Sequence, residues 1–133
     1  MSIRRPTPGS RIRQTLTNQF VADGYRASAR MTERVKLDYV LRVRSELSAG
    51  REDLMRMLGT SSLVQLLGDA DTVVAYAETL AAEAAIRRAA GEESRAGAIE
   101  QRALAIALEL QKTLPHPDAE LDALIEALRE RAK

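Results

Sequence analysis

GEESRAGAIEQRALAIALELQKTLPHPD, residues 91–118, opens on a glycine, continues as an alanine- and leucine-rich segment and closes on two prolines. Ile99, Ala103, Ile106, Leu110 and Leu114 recur at three- and four-residue steps, and Leu104 and Leu108 form a second stripe beside them. This is the period of a helix; a half-buried strand would alternate at every second residue. The spacing predicts a helix over 93–114 with apolar side chains on more than one side. Pro115-His116-Pro117 ends it, because a residue preceding proline is pushed out of the α region, and Asp118 stands where it caps a following helix. In that helix, over 118–131, Leu121, Leu124, Ile125 and Leu128 fall at i, i+3, i+4 and i+7.

The same pattern extends upstream. A helix is predicted over about 71–90, capped by Asp69 or Asp71 and ended by Gly91. Val73, Ala77, Leu80 and Ala84 form its contact face, with Val74, Ala81 and Ala85 beside them. Before it lie two short elements. One is a helix over about 51–58, with Leu54, Met55 and Leu58 as its apolar side and Gly59 as its C-cap. The other is a turn over 62–67, capped by Thr60 or Ser61 and stopped by Gly68. A longer helix over about 26–47 carries Met31, Val35, Tyr39, Val43 and Leu47 at four-residue steps. Leu37, Val40 and Leu41 widen that face enough for more than one neighbour, and Ser48-Ala49-Gly50 ends it. A further short helix is predicted over about 12–22, with Leu16, Phe20 and Val21 on one side.

The fold class that follows is all-α: a small helical bundle of about five or six helices with C-terminal antiparallel helical hairpins. Two domain assignments go with it: a basic disordered arm over 1–13, interrupted by Pro6 and Pro8, and a single helical domain over 14–133. The 133 residues suit one core without metals or disulfides.

Composition narrows the chemistry. The chain has no Cys and one His, His116, so a disulfide framework, a thiolate site and a multi-histidine metal site are excluded. His116 reads as an exposed turn residue, and Glu92-Glu93 and Glu126-Glu130 as helix-end and solvated charges. No phosphate-binding glycine loop or nucleophile elbow occurs. The expectation is a protein that is not an enzyme, with no catalytic, cofactor or metal residues. No apolar run reaches the roughly 20 residues of a membrane span and no leader is visible, so a cytoplasmic setting without membrane contact is expected.

Residues 71–131 resemble one unit of the tetratricopeptide family. Gly91, Ala96, Ile99 and the run Arg102-Ala103-Leu104-Ala105-Ile106 carry the likeness, together with the His116-Pro117-Asp118 turn. The resemblance implies a helical hairpin used as a protein-binding scaffold. The chain departs from the family pattern at Glu83, Arg87 and Glu93, and no second copy lies upstream. A plain bundle hairpin accounts for the same residues.

Two functions are in contention. The first is a non-enzymatic interaction module (a small adaptor, chaperone or assembly factor) that binds another protein or a second copy of itself, as a homodimer would. Its surface would be a groove between the helices over 71–90 and 93–114, lined by Val74, Ala81, Leu104 and Leu108. The second is a nucleic-acid-associated regulatory protein. Residues 1–60 hold twelve Lys and Arg against six Asp and Glu, while residues 61–133 hold eight against thirteen. Phosphate contact would then come from Arg4, Arg5, Arg11, Arg13, Arg30, Arg34, Arg42 and Arg44. Sequence reading by residues 63–80 as a helix-turn-helix is disfavoured. The would-be reading helix offers Asp71, Tyr76 and Glu78, and no Arg, Lys, Asn or Gln for base edges.

Overall fold

A computed structural model describes residues 33–132, with side chains from residue 36 onward. The arm over 1–13, the short helix over 12–22, and Arg4, Arg5, Arg11, Arg13 and Arg30 lie outside the described residues. Within them the chain forms six helices and no strand: α1 (Glu33–Leu47), α2 (Glu52–Met57), α3 (Thr60–Leu67), α4 (Ala70–Ala89), α5 (Glu93–Thr113) and α6 (Ala119–Arg131). The all-α helical bundle expected from periodicity is the fold observed.

α4 is the central element. The turn Ala90–Glu92 folds α5 back along it, and this hairpin is the largest helix–helix contact among the described residues. α1 packs on α4, while α3 and α6 pack mainly on α5. The alanines of α4 and α5 make the close approach feasible: Ala77, Ala84, Ala96, Ala103 and Ala107 are fully buried, so the two backbones meet with little side-chain bulk between them. Larger residues fill the rest of the core. Met55, Leu63, Val73, Ile106, Leu121 and Leu128 are each shut off from solvent and belong to one continuous cluster. Burying each contributes about 1.5–3 kcal/mol relative to exposure.

Local chemistry sets the helix ends. Asp69 caps α4, its carboxylate accepting from the Asp71 amide at 3.2 Å, and Asp118 caps α6, accepting from the Leu121 amide at 3.0 Å. α4 ends in a Schellman motif. Gly91 sits at φ +88°, its amide donating to the Arg88 carbonyl at 3.0 Å, and the Glu92 amide donates to the Arg87 carbonyl at 2.9 Å. α1 ends the same way, with Ala49 where glycine usually stands. Ala49 has φ +54°, and the Gly50 amide reaches back to the Ser45 carbonyl at 2.9 Å. Two capping expectations need correction. Gly59 is the N-cap of α3 rather than the C-cap of α2, whose C-cap is Leu58, and neither Thr60 nor Ser61 caps α3. Leu58 and Gly59, both extended, are the only two residues between the helices, so Leu58 takes the C-cap of α2 and Gly59 the N-cap of α3.

Candidate interaction surface

The groove expected between the helices over 71–90 and 93–114 is not an open surface. Val74 and Ala81 are buried in the core cluster. Leu104 and Leu108 are half-buried and pack against that cluster. The two central helices meet along their alanines and close the gap that larger residues would have held open. The would-be reading helix of the helix-turn-helix is also interior, with Ala75, Tyr76 and Thr79 sealed from solvent.

Apolar side chains instead reach solvent on the α2–α3 side. Met57 is 85% exposed and Leu54 46% exposed. The shortness of α2 explains this. A six-residue helix has one inward position per turn, and Met55 takes it at 0% exposure, turning Leu54 and Met57 away. Leu54, assigned from sequence to the apolar side of this helix, and Met57 both look outward. Leu54, Leu58, Ser62, Gln65 and Leu66 line a shallow groove of about 410 Å3 across the two helices. Arg51 and Arg56 are exposed near it, and Asp53 stands 3.9 Å from Arg56. Beneath the patch, the Arg102 guanidinium of α5 donates to the Met55 carbonyl at 2.7 Å and pins α2 to the body. A second concavity of about 300 Å3 lies at the α5–α6 turn, lined in part by His116, Asp118 and Asp122, with His116 exposed as expected.

Charge is arranged in the interior as well. Arg44 is only 5% exposed and Glu83 6%. The Arg44 guanidinium donates to Thr79 Oγ1 at 3.1 Å and to the Thr79 carbonyl at 3.0 Å, and its Nη1 stands 2.6 Å from Glu83 Oε1. Glu83 Oε2 takes Arg87 Nε at 2.6 Å, and Arg87 reaches on to Glu92 at 3.4 Å. Burial alone would raise the Glu83 carboxyl, but hydrogen bonds and charge from Arg87 and Arg44 outweigh it and hold the group below the ordinary carboxylate range. One turn further along α4, Arg88 pairs with Glu100 of α5, whose second carboxylate oxygen is buried without a partner. Tyr76 lies beside Glu52, and burial together with that carboxylate pushes its phenol up to about 12.

These pairs bear on the basic residues singled out from sequence. Arg44 is not free for phosphate: it is committed to Thr79 and Glu83. Arg42 is exposed on α1, and Arg34 lies on α1 with its side chain outside the described residues. The sequence had marked Glu83 and Arg87 as departures from the tetratricopeptide pattern, and these two positions form the buried ion-pair chain. A polar residue at an apolar position of a helix face was the available signal for it. Among the described residues no group of three His, Cys, Asp or Glu side chains is placed to hold a metal ion, and no helix is long and apolar enough to cross a membrane. No family model matches the chain, and no curated protein or solved structure is similar to it.

Proposed function

We propose that this chain is a non-enzymatic protein-interaction module, a small adaptor, chaperone or assembly factor of the cytoplasm, and that it meets its partner through the outer face of α2 and α3. The observation that carries this reading is the exposure of Leu54, which lines the shallow groove between the two short helices, and of Met57 three residues further along α2. Exposed large apolar groups cost little while they remain single, but clustered with a groove they are the usual material of a contact surface. Methionine suits such a face because its unbranched, polarisable side chain adapts to the surface opposite. The tetratricopeptide-like character of the α4–α5 hairpin belongs to the same proposal, with that hairpin as the scaffold rather than the contact face.

The test is a tagged pull-down from the native host, with and without nuclease, repeated with Met57→Glu. A stoichiometric, nuclease-resistant protein partner that is lost with Met57→Glu is the expected result. A partner retained unchanged by Met57→Glu and by Leu54→Glu would remove α2–α3 from the interface. Recovery dominated by nucleic acid, with proteins lost after nuclease, would replace the reading with phosphate contact through the basic N-terminal half.

A further inference from the structure

α1 is attached to the body mainly through one helix, α4. α4 lies between α1 and α5, and α5 between α4 and the pair α3 and α6, whereas the main contact of α1 among the described residues is α4. Its described apolar residues that are buried are Val40, Val43 and Leu47. Three such residues contribute about 1.5–3 kcal/mol each. Ordering a helical backbone costs about 1–2 kcal/mol per residue, and an isolated helix of this length is marginal in water. The α1 helix therefore depends on its seat against α4, where the Arg44 contacts add to those three side chains.

Those contacts are built so that release leaves little harm behind. When Arg44 withdraws, Glu83 keeps Arg87 at 2.6 Å, so no carboxylate on α4 is stranded. The Thr79 hydroxyl keeps its own acceptor, the Tyr76 carbonyl, at 2.6 Å. Arg44 returns to water, where a guanidinium is well solvated. At the C-terminal end of α1, Ala49 and Gly50 sit consecutively in the left-handed region at φ +54° and +76°, giving a sharp joint between α1 and α2. α2 is held separately, through Met55 in the core and Arg102 on the Met55 carbonyl.

We propose that α1 is a strap that opens and closes over α4 as one unit while α2–α6 stay folded, with the contact of Arg44 with Glu83 and Thr79 as its latch. Opening uncovers the side of α4 around Thr79 and Glu83.

Native-state hydrogen exchange on the full chain, followed by mass spectrometry, tests this directly. The amides of residues 40–48 are expected to exchange as a group, with one common denaturant dependence, at least about tenfold faster than those of α4 and α5. Arg44→Ala is expected to speed that group by about a further tenfold, and to lower α4 and α5 protection by no more than that factor, because the strap opening and global unfolding both lose the same contact. If residues 40–48 exchange only together with α4 and α5, or if Arg44→Ala leaves the exchange of residues 40–48 unchanged, the strap does not exist. The readout needs no partner, so it stands or falls apart from the proposed interface on α2–α3.

Discussion

Glu83→Ala is the substitution that puts the most weight on the structure. The carboxylate accepts from two guanidinium groups, Arg44 at 2.6 Å and Arg87 at 2.6 Å, in a site almost closed to water. Removing one member of a buried pair costs about 3–5 kcal/mol, because the remaining charge stays desolvated and unmatched. Here the lower part of that range applies. Arg44 retains the Thr79 hydroxyl and carbonyl, and Arg87 retains Glu92. With about 3 kcal/mol lost, and each kcal/mol worth about 4 °C in a domain of this size, the melting temperature falls by about 12 °C. Urea unfolding followed by circular dichroism should show the same loss as a lower midpoint with an unchanged slope. Arg44→Ala is expected to cost less, since Glu83 then keeps Arg87. A loss below about 1 kcal/mol for Glu83→Ala, or a larger loss for Arg44→Ala than for Glu83→Ala, would refute the hierarchy drawn from these distances. The pH dependence follows from the sign of the shift. The folded Glu83 carboxyl lies below its unfolded value near 4.5, so its contribution is complete above that pH and is lost as pH falls through the lower folded value. Glu83→Ala should flatten that part of the acid limb, measured as midpoint against pH.

Four further outcomes are expected. Ala49→Gly should stabilise by about 0.5–1 kcal/mol, because alanine at φ +54° is strained where glycine is not; an unchanged urea midpoint would contradict it. Gly91→Ala should destabilise by about 1 kcal/mol through the backbone alone, since at φ +88° nothing lies within 4 Å of an added Cβ; a loss of several kcal/mol would mean an unseen clash. Met57→Glu should leave the urea midpoint within about 0.5 kcal/mol of the parent, whereas Leu104→Glu should lower it by about 1–3 kcal/mol because that side chain packs on the core. Tyr76 should titrate near 12 in the folded protein, seen as a late phenolate absorbance step; a Tyr76→Phe variant that leaves the late step in place would refute the assignment.

The order and nature of the helices were legible in the sequence because they are local properties. A three- and four-residue apolar period, an aspartate before it and a glycine or proline after it act within a turn or two of the chain. The spans over 71–90, 93–114 and 118–131 accordingly agree with α4, α5 and α6 to within a residue or so, and Asp118 caps as its position implied. What a stripe touches is a different matter. Val74 and Ala81 have the composition of a groove, yet α4 is enclosed from several sides and takes both into the core. Met55 and Met57 are two residues apart on one short helix; only its seat against the body decides that the first is sealed and the second is open. Arg44 belonged to a row of arginines that read as one basic face. The crossing of α1 over α4 brings it to Glu83, thirty-nine positions away in the chain, and turns a candidate phosphate contact into an internal ion pair. Periodicity records that a helix has an apolar side; burial of the other sides, and the partners of buried charge, depend on distances between segments that no local pattern encodes.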